Sequence, residues 1–325
     1  MTGAGALLML AGVLACAGEA PSSTPFAEVM DDAGGRVRVA AAPQRVVSLV
    51  PALTRVIVAL GARDRLIART DYDRHPLLDS LPTVGQGLTP NLEWLAARRP
   101  DLVVGWADGT SRNLLARLAA VGTPVYSARV ETLEDADSAV LRLGRLLGED
   151  AAARALVRRT AARLDTVRAL VAGRPRPRVL YVLGVDPPTV VGPGTFVHQI
   201  VQAAGGENIF ADAASGWPRV SLEEVVARVP DVVVVAAGEA FADAGRARIA
   251  RLPGWRDLPA VRGGRIVDVD ADLFHRFGPD LPVAAALLGA RLHPHAAARL
   301  AALAERWTAE DPWLAAAPPS HPGSR

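Results

Sequence analysis

Asn91-Leu92-Glu93-Trp94-Leu95-Ala96-Ala97-Arg98-Arg99-Pro100-Asp101-Leu102-Val103-Val104 recurs 130 residues later as Ser221-Leu222-Glu223-Glu224-Val225-Val226-Ala227-Arg228-Val229-Pro230-Asp231-Val232-Val233-Val234. The copies agree at Leu, Glu, Ala, Arg, Pro, Asp and two Val. Each opens on a residue, Asn91 or Ser221, whose side chain can accept a hydrogen bond from the free N–H groups of a helix start. A proline then stops the helix, since it has no N–H to donate and its ring clashes with the preceding turn. The apolar run that follows suits a strand covered on both faces in a parallel sheet. One such unit in each half predicts two similar lobes.

Further strands read outward from the repeat: Arg45–Val50 and Val125–Ser127 in the first half, Arg178–Leu183 and Arg265–Val269 in the second, with helical patterns between them. Strands alternating with helices give an α/β fold, here two Rossmann-like lobes with mostly parallel sheets. Leu133–Ala172 is rich in Ala, Leu and Arg, contains no Pro and is interrupted near Gly148. It predicts helix nearly throughout. Its second part, Asp150–Ala172, reaches about 35 Å at 1.5 Å per residue, a long rigid interlobe helix that resists wide hinge motion.

The N-terminus carries an apolar run, Ala6–Ala15, closed by Cys16, the single cysteine of the chain. The run is too short to span a membrane and matches the apolar region of a secretory signal. Small or apolar residues directly before one cysteine resemble the bacterial lipoprotein box, so Cys16 is expected to carry lipid. The chain divides into a signal segment (1–16), a tether (17–25), an N-terminal lobe (26–131), the helical backbone (132–173), a C-terminal lobe (174–313) and a disordered tail (314–325).

Half of the 325 residues are apolar and 22% are charged, which excludes a disordered chain. All 36 cations are Arg, scattered along the chain, and the formal net charge is only +2. Such scatter is not a nucleic-acid surface. There is no nucleophile elbow, no phosphate loop ending in Lys-Ser or Lys-Thr, and no cysteine pair for zinc. His293 and His295 flank Pro294 at a helix start and read as solvated. No catalytic signature is present, so the motifs do not point to an enzyme.

The chemistry-bearing residues follow strands, where α/β sheets present ligands to their loops. Trp106 directly follows an apolar strand and precedes an Asp108-Gly109 turn. Trp217 sits in Ser215-Gly216-Trp217-Pro218, a turn in which an indole is hard to bury. Tyr72 lies in the polar loop Thr70–Pro76, and Asp272-Leu273-Phe274-His275-Arg276 follows the last strand. Glu93 and Glu223 occupy first helical turns, a placement the helix dipole favours by itself. On lobes related by a pseudo-two-fold they would also present one carboxylate each to the arginines of a symmetric partner.

From about Phe26 to Trp307 the chain resembles the bacterial substrate-binding proteins that deliver cobalamin, haem and ferric siderophores to ABC importers, the class III periplasmic binding proteins with a helical interlobe backbone. The resemblance rests on Arg45–Ala52, Asn91–Glu93, Pro100–Val103, Gly205-Gly206-Glu207-Asn208-Ile209-Phe210 and Trp217–Glu223. It implies a ligand held between the lobes, with no separate cofactor or structural metal, and docking of Glu93 and Glu223 on a permease dimer by a monomeric carrier. The nearest likeness is to cobalamin-binding proteins. That likeness implies ligand contacts from Ala52, Tyr72, Trp106, Trp217, Asp272 and Arg276, and the loop that carries the last two adds Phe274 and His275 as candidate contacts. The sequence departs from it at Arg69, Gly85 and Thr189, where further aromatics are typical, and at His275, which replaces an acid. Two other cargoes stay open: haem, with Tyr72 as axial ligand assisted by His198 or His275, and a ferric siderophore held by Arg69, Arg219 and Arg276. An exported metal-dependent enzyme is the remaining reading, and it lacks a tight His, Asp and Glu cluster.

Overall fold

The computed structural model describes residues 24–107, 109–120, 122–237 and 245–316. Cys16, the signal segment, residues 17–23 of the tether and Asp108 lie outside the described residues. An antiparallel hairpin, β1 (Ala27–Met30) and β2 (Arg36–Val39), opens the fold. The first lobe then runs β3 (Val46–Ser48), α1 (Pro51–Ala59), β4 (Leu66–Ala68), a short hairpin of β5 (Gly85–Gln86) and β6 (Thr89–Pro90), α2 (Leu92–Arg98), β7 (Leu102–Trp106), α3 (Gly109–Ala120) and β8 (Val125–Ala128). Its sheet is all parallel, in the order β4-β3-β7-β8.

Two helices cross to the second lobe. Helix α4 (Leu133–Leu147) starts on a reciprocal cap between Thr132 and Asp135 and stops at Gly148, whose left-handed φ of 74° a side chain would resist. Helix α5 (Asp150–Val171) buries Ala153, Leu156, Leu164, Val167 and Val171, residues three, four or eight apart that form one stripe. The second lobe follows as β9 (Arg178–Val185), β10 (Pro188–Val190), α6 (Phe196–Ala203), β11 (Glu207–Asn208), α7 (Leu222–Ala227), β12 (Val232–Ala237), α8 (Arg246–Ile249), α9 (Pro259–Arg262), β13 (Ile266–Asp270) and α10 (Ala271–Phe274). Its parallel strands are ordered β11-β9-β12-β13, with β10 antiparallel to β9. Strand for strand this is the order of the first lobe, and the third strands, β7 and β12, begin 130 residues apart. The repeated sequence is a repeated topology.

Alternate residues of each sheet enter different cores, as the two-residue strand period requires. Val46, Leu102, Val104, Val179, Tyr181, Val232 and Val234 join one continuous core with α4, α5 and α11 (Leu281–Leu292). Val47 and Val103 face a smaller core outside the first sheet, and Leu180, Val182, Val233 and Val235 face one outside the second. Because the largest core runs through both lobes and the helices between them, opening the lobes widely would expose apolar surface at about 25 cal/mol per Å².

Two expectations are corrected here. Leu314–Ala316, assigned to a disordered tail, end helix α13 (Pro312–Ala316), which follows α12 (Ala297–Glu310) and packs back on α1. The Trp313 ring stacks 3.7 Å from His75, whose Nε2 meets the Trp313 carbonyl at 2.9 Å. The indole has an apolar seat that composition does not reveal. His293, read as solvated, is buried with its edge against Gly205, while His295 is exposed.

Candidate functional site

A cavity of about 460 Å³ lies between the lobes, at the carboxyl ends of the parallel strands. The first lobe supplies the turn after β3 (Leu49–Ala52), Tyr72, the β5–β6 turn and the end of β7. The second supplies Phe196, Trp217 and the His275–Phe277 turn. Parallel strands all point their C-terminal ends one way, so in such sheets loops collect there and helix starts turn their N–H groups toward the crevice.

Backbone contacts fix each wall. The β5–β6 turn presses on the end of β3: a Cβ on Gly87 would lie 2.0 Å from the Leu49 carbonyl oxygen, so a glycine is required. This close approach lifts Leu88 to 51% exposure at the rim. Asp73 is buried and accepts from the Thr70 N–H at 2.9 Å and its hydroxyl at 2.7 Å, which closes the loop and leaves Tyr72 outside, 51% exposed. Across the cleft, Gly192 donates to the Gly216 carbonyl at 2.7 Å and Val190 to Pro218 at 3.1 Å, pinning the turn that presents Trp217 at 40% exposure. Tyr72, Leu88 and Trp217 thus place large apolar side chains in solvent around one cavity, the arrangement of a surface awaiting a partner molecule. Trp106 ends β7 half-buried, stacked on Phe277 at 6.0 Å and 20°.

The turn after β13 separates the five residues expected there. His275 and Arg276 line the cavity. Phe274 does not: it is 2% exposed and packs 6.5 Å from Tyr181 in the common core, because the single turn of α10 rotates it inward and brings Phe277 round instead. That corrects the expectation for Phe274. Asp272 also stands off the cavity wall and pairs with Arg276 at 2.9 Å. Tyr181 Oη meets His275 Nε2 at 3.0 Å, and burial pushes the imidazole down to about 4, so it is neutral at pH 7. Ala52 lines the cavity from the first turn of α1.

Other candidates fall elsewhere. Arg69 and Arg219 are not on the cavity wall: Arg69 pairs through its backbone with Thr83, and Arg219 with Thr189 of β10. His198 is buried inside the second lobe, its Nδ1 3.1 Å from the Asn208 amide. Among the described residues no three His, Cys, Asp or Glu side chains converge on a point. Glu131, Phe196 and Phe277 line the cleft although sequence reasoning passed over them. A run of apolar residues marked the strands, but no periodicity marks a residue between a strand and a helix cap.

Glu93 and Glu223 stand second in α2 and α7, each exposed, and neither carboxylate has an ion pair or hydrogen bond among the described residues. Asn91 accepts from the Trp94 N–H at 2.9 Å and Ser221 from Glu224 at 3.1 Å.

The model of the family described as periplasmic binding protein matches residues 46–273. The chain is 30% identical to the vitamin B12-binding protein of Salmonella typhi over 75% of its own length and 88% of that protein. It superposes on the periplasmic vitamin B12-binding protein BtuF of Vibrio cholerae with a TM-score of 0.65 and 26% identity, covering 77% of this chain and 97% of that one. A periplasmic haem-binding protein from Pseudomonas aeruginosa gives 0.65 and 30%, covering 78% and 94%. Two duplicated lobes, a helical backbone and an interlobe cavity are accounted for together: the chain belongs to the periplasmic binding protein family, a family of binding proteins and not of enzymes.

Proposed function

We propose that this protein captures a corrinoid of the cobalamin type between its lobes and delivers it to the permease of an ABC importer. The observation that carries the reading is the make-up of the cavity: one indole from each lobe, Trp106 and Trp217, with apolar walls and little charge. A corrinoid is a large, partly apolar disc fringed with amides, and indole faces suit it better than cations do. The likeness to vitamin B12-binding proteins supports the same cargo. A siderophore reading calls for several arginines, and of its three candidates only Arg276 lines the cleft, already paired with Asp272. Haem is the second reading, favoured by the exposed phenol of Tyr72 in the same cavity.

In this reading Glu93 and Glu223 dock on the permease dimer, one per lobe. Lipid on Cys16 is the only membrane attachment, and the carrier works in the periplasm as a monomer. Among the described residues no helix is long and apolar enough to cross a membrane. The test is isothermal titration of the purified protein with cyanocobalamin, haemin and a ferric siderophore in parallel. Tight one-to-one binding of cyanocobalamin alone is expected. Silence with cyanocobalamin alongside binding of either other ligand would overturn the corrinoid assignment.

A further inference from the structure

Charge in the cleft is unevenly balanced. Among the described residues that line it, the formally charged side chains are Glu131 and Arg276. Arg276 is paired with Asp272 at 2.9 Å. Glu131 has no such partner: no ion pair or side-chain hydrogen bond to it occurs among the described residues. The arginine two positions before it is engaged elsewhere, Arg129 Nη2 donating to the Ala107 carbonyl at 3.1 Å. The position itself is fixed from both sides. The Glu131 N–H donates to Asp135 Oδ2 at 3.1 Å, and its carbonyl accepts from the Phe196 N–H of the second lobe. A carboxylate without an ion pair among the described residues is therefore held where the first lobe hands over to α4, at the edge of a cavity walled mostly by apolar and aromatic groups.

From this geometry we propose that Glu131 is the charge filter of the cleft, admitting large ligands that are neutral or fringed with amides and rejecting those that carry carboxylates. Glu131 is exposed at the rim, where its field acts on an entering anion at short range, and among the described residues of the cleft the one other charged side chain, Arg276, is already paired. An amide fringe can instead donate to the carboxylate. Selectivity of this kind needs a repulsive element against the wrong ligand as well as contacts to the right one. The proposal rests on the interlobe cavity being the ligand site, and it separates two flat macrocycles of similar apolar character: a corrinoid fringed with amides, and a porphyrin dicarboxylate.

The test is titration of the full chain, of Glu131→Gln and of Glu131→Lys with cyanocobalamin and with haemin, at low and at high ionic strength. Haemin affinity should rise about tenfold in Glu131→Gln and further in Glu131→Lys, the size of one carboxylate interaction between its water and protein-surface limits. Salt should strengthen haemin binding to the natural protein and not to Glu131→Gln, a response that a merely structural residue would not give. Cyanocobalamin affinity should fall by less than haemin affinity rises in Glu131→Gln, because the glutamine carbonyl can still accept from an amide fringe. Haemin affinity that is equal in the three proteins, or absent from all of them, overturns the filter. So does a loss of cyanocobalamin affinity as large as the haemin gain. Failure of the natural protein to bind cyanocobalamin, with the haemin gain still present in both variants, would remove the corrinoid reading and leave the filter standing.

Discussion

In both lobes the arginine that opens the first strand reaches back to the end of the helix that precedes the third. Arg45 Nη2 donates to the Arg98 carbonyl at 2.6 Å, and Arg178 Nη2 to the Arg228 carbonyl at 2.7 Å. The aspartate after each proline accepts from the first strand in return: Asp101 from the N–H groups of Gln44 and Arg45, Asp231 from that of Arg178. Beyond the strand ends the likeness stops. The first lobe sends out the β5–β6 turn and Tyr72, while the second sends out the β10 strand, the Trp217 turn and the His275–Phe277 turn. The duplicated part is the scaffold and its two exposed glutamates. The part that differs is the wall of the cleft, so partner docking is expected to be symmetric and ligand recognition is not.

The largest effect is expected where the lobes agree. Reversing both charges in Glu93→Arg with Glu223→Arg should abolish uptake by whole cells while ligand affinity measured by titration stays within about threefold, because neither residue touches the cavity. Each single variant should retain part of the uptake. Undiminished transport by the double variant would reduce both glutamates to helix-dipole residues.

Where the lobes differ, the two indoles separate binding from folding. Trp217→Ala should weaken ligand binding by about 1–3 kcal/mol with little change in thermal stability, since the ring already stands in solvent. Trp106→Ala should weaken binding as well but also lower stability by about 2 kcal/mol, because the ring is half-buried against Phe277. Binding unchanged in Trp217→Ala would make that indole an idle surface residue. The contrast also explains what was legible beforehand. Trp106 and Trp217 could be read because each directly follows a strand or fills a turn unfit to bury it. Phe274 and Phe277 could not be told apart, because which of two aromatics faces outward is decided by the single turn of α10, and four residues give no period to read. The two sheets were legible through caps, prolines and apolar runs. Trp313 was not, because its seat on His75 is 238 residues away in sequence.

Acid should distinguish the lobes next. His198, His275 and His293 belong to the second lobe and its helices, and burial lowers the affinity of each for a proton; His75 alone plays that part beside the first. His275 stays neutral in the folded chain down to about pH 4, whereas an unfolded imidazole takes its proton near 6.5. Between those values the unfolded state binds more protons, so stability falls as the pH falls. From pH 7 to 5 the His275 share is about 2 kcal/mol, and His275→Gln should remove that share from a urea titration run at both pH values. Amide exchange at pH 5 should open β9 and β13 ahead of β3 and β7. Simultaneous opening would mean that the common core binds the lobes into one cooperative unit.

The smallest effect tests the scaffold itself. Arg99 and Val229, 130 residues apart, both sit at φ 44° just before the proline that ends their helix, and they are the positive-φ residues other than glycine among those described. Left-handed backbone costs an ordinary side chain about 1–2 kcal/mol and suits a β-branched one least. Glycine removes that cost but adds chain entropy to the unfolded state, about 0.5–1 kcal/mol. The two terms nearly cancel at Arg99, so Arg99→Gly should leave the melting temperature almost unchanged. Val229 is 54% exposed and has little packing to lose. Val229→Gly should therefore stabilise the chain by about 0.5–1 kcal/mol, read as a rise of a few degrees in thermal unfolding. Equal gains at both sites would place the strain in the left-handed backbone and not in the branched side chain, and the scaffold would then be equally taut in its two copies.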